Sequence, residues 1–161
     1  MRVPCKREIP MKLDSVEKRA EKEFSQAQVA LAAEDTQAAL AFIEKALRLR
    51  DTPEWYSYLG YCIARQRGQH RKGLELCQAS LAVEPDNPMH FLNLGRVHLN
   101  KGDKIKALQI WREGMAKGGC PELLQQLERL GTRSRPIIPV LHRNNPLNRY
   151  LGILLNRLGL R

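Results

Sequence analysis

The stretch that decides the fold runs from Thr52 to Asp86, "TPEWYSYLGYCIARQRGQHRKGLELCQASLAVEPD", and is followed directly by Asn87 to Pro121, "NPMHFLNLGRVHLNKGDKIKALQIWREGMAKGGCP". Setting Pro53 on Pro88 also sets Leu59-Gly60 on Leu94-Gly95, a period of 35 residues, and Pro121 opens a further unit 33 residues after Pro88. Self-similarity at this period predicts helix hairpins that cannot bury their apolar faces singly and therefore stack. Within each copy, Tyr56-x-x-Leu59-Gly60-x-x-Ile63 and Phe91-x-x-Leu94-Gly95-x-x-His98 mark a first helix. Gly73-x-x-x-Cys77 and Ala107-x-x-x-Trp111 mark a second. Gly60 and Gly95 let the two helices of a pair approach closely, and Trp111 fills the space that small Ala107 leaves. With Gly73 and Cys77 in the equivalent slots, the middle hairpin is expected to be the looser one.

Working outward, residues 20 to 52 hold a weaker copy, which lacks the Leu-Gly pair but keeps Ala39-x-x-x-Ile43 followed by Ala46-Leu47. Thr52-Pro53, Asn87-Pro88 and Asn145-Pro146 each place a capping side chain ahead of a proline suited to a first helical turn. Asp14 with Glu17 predicts the start of the first helix. After Pro121, Leu123, Leu124, Leu127 and Leu130 share one face of a further helix that Gly131 stops.

The quoted slots resemble those of the tetratricopeptide repeat family over about residues 15 to 130. The resemblance implies an all-α fold, a right-handed superhelical stack of hairpins. The expected organisation is a disordered segment 1–12 and a repeat domain 13–131. The latter comprises repeats at about 20–52, 53–87 and 88–120 and a capping helix 121–130, and a basic C-terminal segment 132–161 follows. The resemblance also implies a non-enzymatic adaptor or scaffold whose first helices line a concave groove for a peptide or helix of a partner protein. By repeat position the groove-lining residues are Phe24, Gln28, Leu31, Ser57, Tyr61, Arg65, Leu92, Arg96, Leu99 and Asn100. Tyr61, Arg65 and Arg96 would suit a segment with apolar and acidic residues. One subgroup of the family clamps the acidic C-terminus of heat-shock chaperones with lysine, arginine and asparagine. Phe24 and Gln28, or Ser57 and Tyr61, stand where its opening Lys and Asn are needed, so that form of recognition is not expected.

The formal net charge of +10 belongs to the ends of the chain. Residues 131 to 161 carry +6, from Arg133, Arg135, Arg143, Arg149, Arg157 and Arg161 with no acidic residue, and residues 1 to 12 carry +3. The body is left near neutral at +1. The alternative function is therefore nucleic-acid or anionic membrane-surface binding through the basic termini. Around a helix beginning at Pro146, the residues Leu147, Tyr150, Leu151, Leu154, Leu155 and Leu158 share an arc of about 140°. Three uses compete for that face: docking on the protein's own repeats, binding a partner helix, or lying on an anionic membrane. The first is favoured, since each buried leucine would contribute roughly 1.5 to 3 kcal/mol.

Enzyme chemistry finds no support. "GQHRKGLE" from Gly68 spaces its glycines like a phosphate loop, but Leu74-Glu75 replaces the Lys-Ser/Thr that such a loop needs. His70, His90, His98 and His142 stand in unrelated contexts. Cys5, Cys62, Cys77 and Cys120 form no Cys-x-x-Cys pair, which argues against a zinc site and a disulfide framework. No catalytic residue, cofactor, metal or small-molecule substrate is expected. The N-terminal sequence has no signal-peptide apolar run, so a cytoplasmic protein is expected.

Overall fold

The computed structural model describes residues 10–131 and 150–151, with side chains from Ser15 to Leu130 and at 150–151. Seven α-helices follow one another among these residues: α1 (Pro10–Ala32), α2 (Thr36–Leu49), α3 (Tyr56–Arg67), α4 (His70–Val83), α5 (Pro88–Asn100), α6 (Lys104–Ala116) and α7 (Pro121–Gly131). Successive pairs form three antiparallel hairpins, α1/α2, α3/α4 and α5/α6. First helices pack on first helices from α3 to α5, and α7 lies against both α5 and α6.

Each boundary has a local cause. Asp35 and Asp103 cap α2 and α6, accepting from the amides of Ala38 at 2.9 Å and Lys106 at 3.1 Å. Asn87 accepts from Met89 N–H at 3.0 Å, with Pro88 in the first turn, as the sequence implies. The other two starts differ from expectation. α1 begins at Pro10, ahead of Asp14, and so takes in residues 10–12 of the segment expected to be without structure. Proline tolerates a first helical turn because it has no N–H to lose there. At Thr52-Pro53 the threonine makes no capping bond, and Pro53–Trp55 forms a 3-10 turn before α3 starts at Tyr56. The cap comes from the neighbouring helix instead: Ser80 Oγ accepts from Ser57 N–H at 2.8 Å and donates to the Pro53 carbonyl at 2.7 Å. A tertiary partner thus satisfies orphan groups that a local side chain leaves open.

Packing within the hairpins is governed by the glycine slots. α3 and α4 meet backbone to backbone at Gly60 and Gly73, where a methyl on either residue would stand 2.5 to 2.6 Å from the other's carbonyl oxygen. The looseness expected of this hairpin is therefore not there; with small side chains in both slots the helices close the gap themselves. In the third hairpin α5 and α6 are held differently. Trp111, fully buried, lays its indole on Gly95 and donates Nε1–H to the Leu92 carbonyl at 3.1 Å. Its ring joins Leu92, Ala107 and Leu123, the last of which ties α7 to the stack. From α1, Phe24 stacks on Trp55 of the 3-10 turn (centroids 4.5 Å apart, planes 10° apart) and meets Tyr58 of α3 edge-on at 5.0 Å. Cys62 and Cys77 are buried free thiols; burial pushes Cys62 up to about 12 and Cys77 in the same direction.

Residues 1–9, 132–149 and 152–161 lie outside the described residues, and with them Leu147, Leu154, Leu155, Leu158 and the Asn145-Pro146 start. Tyr150 and Leu151 are helical. Tyr150 is 72% exposed and Leu151 is half-buried.

The Trp111 contact yields a test. A methyl at Gly95 overlaps the indole nitrogen, so Gly95→Ala should force Trp111 off its carbonyl partner and cost about 1 to 3 kcal/mol. The melting temperature followed by circular dichroism should fall by roughly 3 to 10 °C.

Candidate functional site: a basic groove on the first helices

Helical periodicity puts residues four apart on one face, so Tyr61 and Arg65 on α3, and Arg96 and Asn100 on α5, project the same way. In the stack these faces adjoin. Leu31, Tyr61, Arg65, Arg96, Leu99 and Asn100 surround one hollow of about 340 Å³. Its remaining walls are Glu34 of the α1–α2 turn, Thr36 at the start of α2, and Gln126, Arg129 and Leu130 of α7. A second hollow of about 240 Å³ shares Leu31 and Arg96 with the first and adds Gln28, Ala32, Tyr58, Met89, Leu92 and Glu122. Of the ten residues assigned to the groove by repeat position, eight border these two hollows.

The other two belong elsewhere. Phe24 is taken up by its stack on Trp55, and Ser57 is fully buried among α3, α4 and α5. Leu92 borders the smaller hollow while exposing none of its surface, so it supports the wall from behind. The repeat assignment missed the contribution of α7, because that helix read only as a cap. The 33-residue offset that aligns Pro121 with Pro88 also aligns Arg129 with Arg96, and that signal places a cation from α7 on the groove face. Glu34 and Thr36 had no such signal, standing in the α1–α2 turn and at the first position of α2.

Within the larger hollow the Arg96 guanidinium lies over the Tyr61 ring, 5.1 Å from its centroid. The aromatic face holds the cation in place without neutralising it. Arg129 reaches Glu34 at 4.0 Å across the groove. Glu34 is a non-glycine residue at φ 60°, the left-handed turn position that reverses the chain after α1. Thr36 accepts a hydrogen bond from Gln66 Nε2, fastening that turn to the end of α3. The amide nitrogen of Asn100 is buried and meets no acceptor among the described residues.

Behind this face runs a chain of polar contacts linking the second and third hairpins. Ser57 Oγ and His90 Nδ1 are 2.8 Å apart, and His90 Nε2 and the Glu84 carboxylate 2.9 Å. Since the carboxylate accepts only, His90 donates from Nε2 and accepts the Ser57 hydroxyl proton at Nδ1. Asn93 Nδ2 donates to Ser57 Oγ at 3.2 Å, and Asn87 Nδ2 to Glu84 at 2.8 Å. A hydroxyl, an imidazole and a carboxylate in line also describe an activated nucleophile. Here Ser57 and His90 are 0% and 1% exposed, so no substrate reaches the hydroxyl and the chain serves as a structural joint. Among the described residues no group of three His, Cys, Asp or Glu side chains is placed to hold a metal, and no helix is long and apolar enough to cross a membrane.

No protein-family model matches this sequence, and no curated protein does. Among solved structures, the chain is similar to the Sgt2 TPR domain from Aspergillus fumigatus, with a TM-score of 0.53 at 22% identity over 70% of this chain and 76% of that one. It also aligns with the N-terminal domain of stress-induced protein-1 (STI-1) from C. elegans, at TM-score 0.45 and 15% identity over 73% of this chain and 98% of that one. The crystal structure of MamA protein aligns at TM-score 0.43 and 17% identity over 79% of this chain and 68% of that one. With the hairpins described above, the first of these establishes the fold: the chain is an all-α stack of tetratricopeptide hairpins.

Burial lowers the His90 pKa from its ordinary 6.5, the Glu84 carboxylate opposing only in part. The Glu84 carboxyl is itself lowered, first by the Asn87 hydrogen bond and then by His90. A histidine depressed on folding is protonated more readily in the unfolded chain. Its contribution to stability is therefore complete above pH 6.5 and is lost as the pH falls through the folded value. Urea midpoints should fall between pH ~7.5 and ~5.5 by more in the parent protein than in His90→Gln, which keeps a donor and an acceptor but does not titrate. His98, also lowered by burial, contributes equally to both proteins and cancels in the comparison.

Proposed function

We propose that this protein is a non-enzymatic interaction module, an adaptor or scaffold, that holds a peptide or helical segment of another protein in the groove of its first helices. The observation that carries the reading is the convergence of Leu31, Tyr61, Arg65, Arg96, Leu99 and Asn100, from three hairpins, with Gln126, Arg129 and Leu130 of α7, on one continuous hollow. Apolar walls interleaved with a few fixed polar groups are what a segment recognised by its side chains requires. The second helices present dispersed charged residues instead, such as Arg71 on α4, which pairs with Glu75 one turn on at 3.1 Å. A cytoplasmic setting accords with the free thiols of Cys62, Cys77 and Cys120.

A photo-crosslinking side chain in place of Leu99 or Gln126 should capture a discrete partner from native extract, whereas the same group in place of Gln78 on α4 or Gln109 on α6 should not. Replacing Tyr61 and Arg96 together by alanine should abolish capture of that partner with helicity retained. Equal yields from groove and second-helix positions, or capture that survives the double substitution, would move the binding face elsewhere.

A further inference from the structure

The larger hollow is unevenly charged, with Arg65, Arg96 and Arg129 set against the single carboxylate of Glu34. Among the described residues, Arg50, Arg67 and Arg71 each pair with a glutamate, whereas neither Arg65 nor Arg96 meets a carboxylate. Arg96 is held by Tyr61, which fixes its direction and leaves its charge unspent. Asn100 adds a buried N–H donor with no acceptor. Two unneutralised guanidinium groups and an unused amide donor, between the apolar walls of Leu31, Leu99 and Leu130, are a donor set for a carboxylate carried on an apolar segment. A nucleic-acid backbone fits the same hollow poorly, because Glu34 and Glu122 line the two cavities and the walls between the arginines are aliphatic.

Glu34 then takes on a particular meaning. It comes from the turn of the first hairpin and lies 4.0 Å from Arg129 of α7, so one of the groove's three cations already faces a carboxylate of the protein's own. Both partners are largely exposed, 69% for Arg129 and 87% for Glu34, and an exposed pair of this kind exchanges readily. We propose that the groove accepts an acidic segment of its partner, with carboxylates received by Arg65, Arg96 and the Asn100 amide, and that Glu34 is a resident competitor which the incoming segment displaces from Arg129. The proposal rests on the groove reading above and adds to it the chemistry of the occupant and a built-in brake on its affinity.

The test pans a random peptide display library on the full chain and measures the selected peptides, labelled with fluorescein, by fluorescence anisotropy. Selected peptides should combine Asp or Glu with leucine or aromatic residues, and changing their acidic residues to amides should weaken binding by about tenfold or more. Arg65→Gln with Arg96→Gln should weaken binding to the same extent without altering helicity or melting temperature. Glu34→Gln should tighten it about two- to fivefold, the worth of one exposed ion pair. Selection of neutral or basic peptides that still need Tyr61 and Leu99 would overturn the acidic chemistry while leaving the groove in use. An unchanged or weaker affinity in Glu34→Gln would remove the competitor. Peptides indifferent to every groove substitution, or a library that selects none, would overturn the groove reading as well.

Discussion

The contact on which the third hairpin and the end of the stack depend is the indole of Trp111 lying on the bare backbone of Gly95. A tryptophan buries more apolar surface than any other side chain it could replace, but only if its N–H finds an acceptor. The missing side chain at Gly95 brings the ring close enough to α5 for Nε1 to reach the Leu92 carbonyl. That placement seats Leu123, and Leu123 seats α7. Without α7 the groove would lose Gln126, Arg129 and Leu130, a whole wall of the larger hollow. A single absence of a methyl group is in this way connected to one wall of that hollow.

The first and second hairpins are joined by another kind of chemistry from that joining the second and third. Phe24, Trp55 and Tyr58 form an aromatic cluster, and Ala27, Ala39, Ile43 and Cys62 pack beside it with little directional demand. Between the second and third hairpins the apolar contact of Ala64, Phe91, Leu94 and Val97 is accompanied by the chain from Ser80 through Ser57 and His90 to Glu84. Hydrogen bonds inside a protein cost little when satisfied and a great deal when not. The second joint is therefore specific in angle as well as in surface, and it joins the same two hairpins that supply Tyr61 and Arg96, the stacked pair lining the larger hollow.

Much of this was legible in the sequence, for reasons that differ by residue. The repeat showed because identical packing slots recur at a fixed period, so Gly60, Gly95, Ala107 and Trp111 announce the hairpins without reference to their neighbours. Tyr61, Arg65, Arg96, Leu99 and Asn100, which the family resemblance assigned by repeat position, border one hollow. Ser57 and Phe24 do not, because register gives the face of a helix and not the size of what comes to meet it; His90 and Trp55 claim those two positions from other helices. The 3-10 turn at Pro53–Trp55 was hidden for a related reason, since its cap is Ser80, distant in the chain. Gly73 misled because a small residue reads as a void, whereas a helix free to move closes it.

The polar joint also bears on how far the units of this protein are interchangeable. A repeat array is ordinarily treated as a string of replaceable modules, each meeting its neighbour through an apolar surface that any consensus unit supplies. Ser57 and Ser80 lie in one unit, His90 and Asn93 in the next, and Glu84 on the link between them, so no single unit contains a complete set of partners. A module boundary drawn at Asn87 cuts through a hydrogen-bonded whole. The second and third hairpins are in that sense inherited as one piece, and a graft or recombination that respects the repeat period but separates them would leave buried donors and acceptors on both sides of the seam.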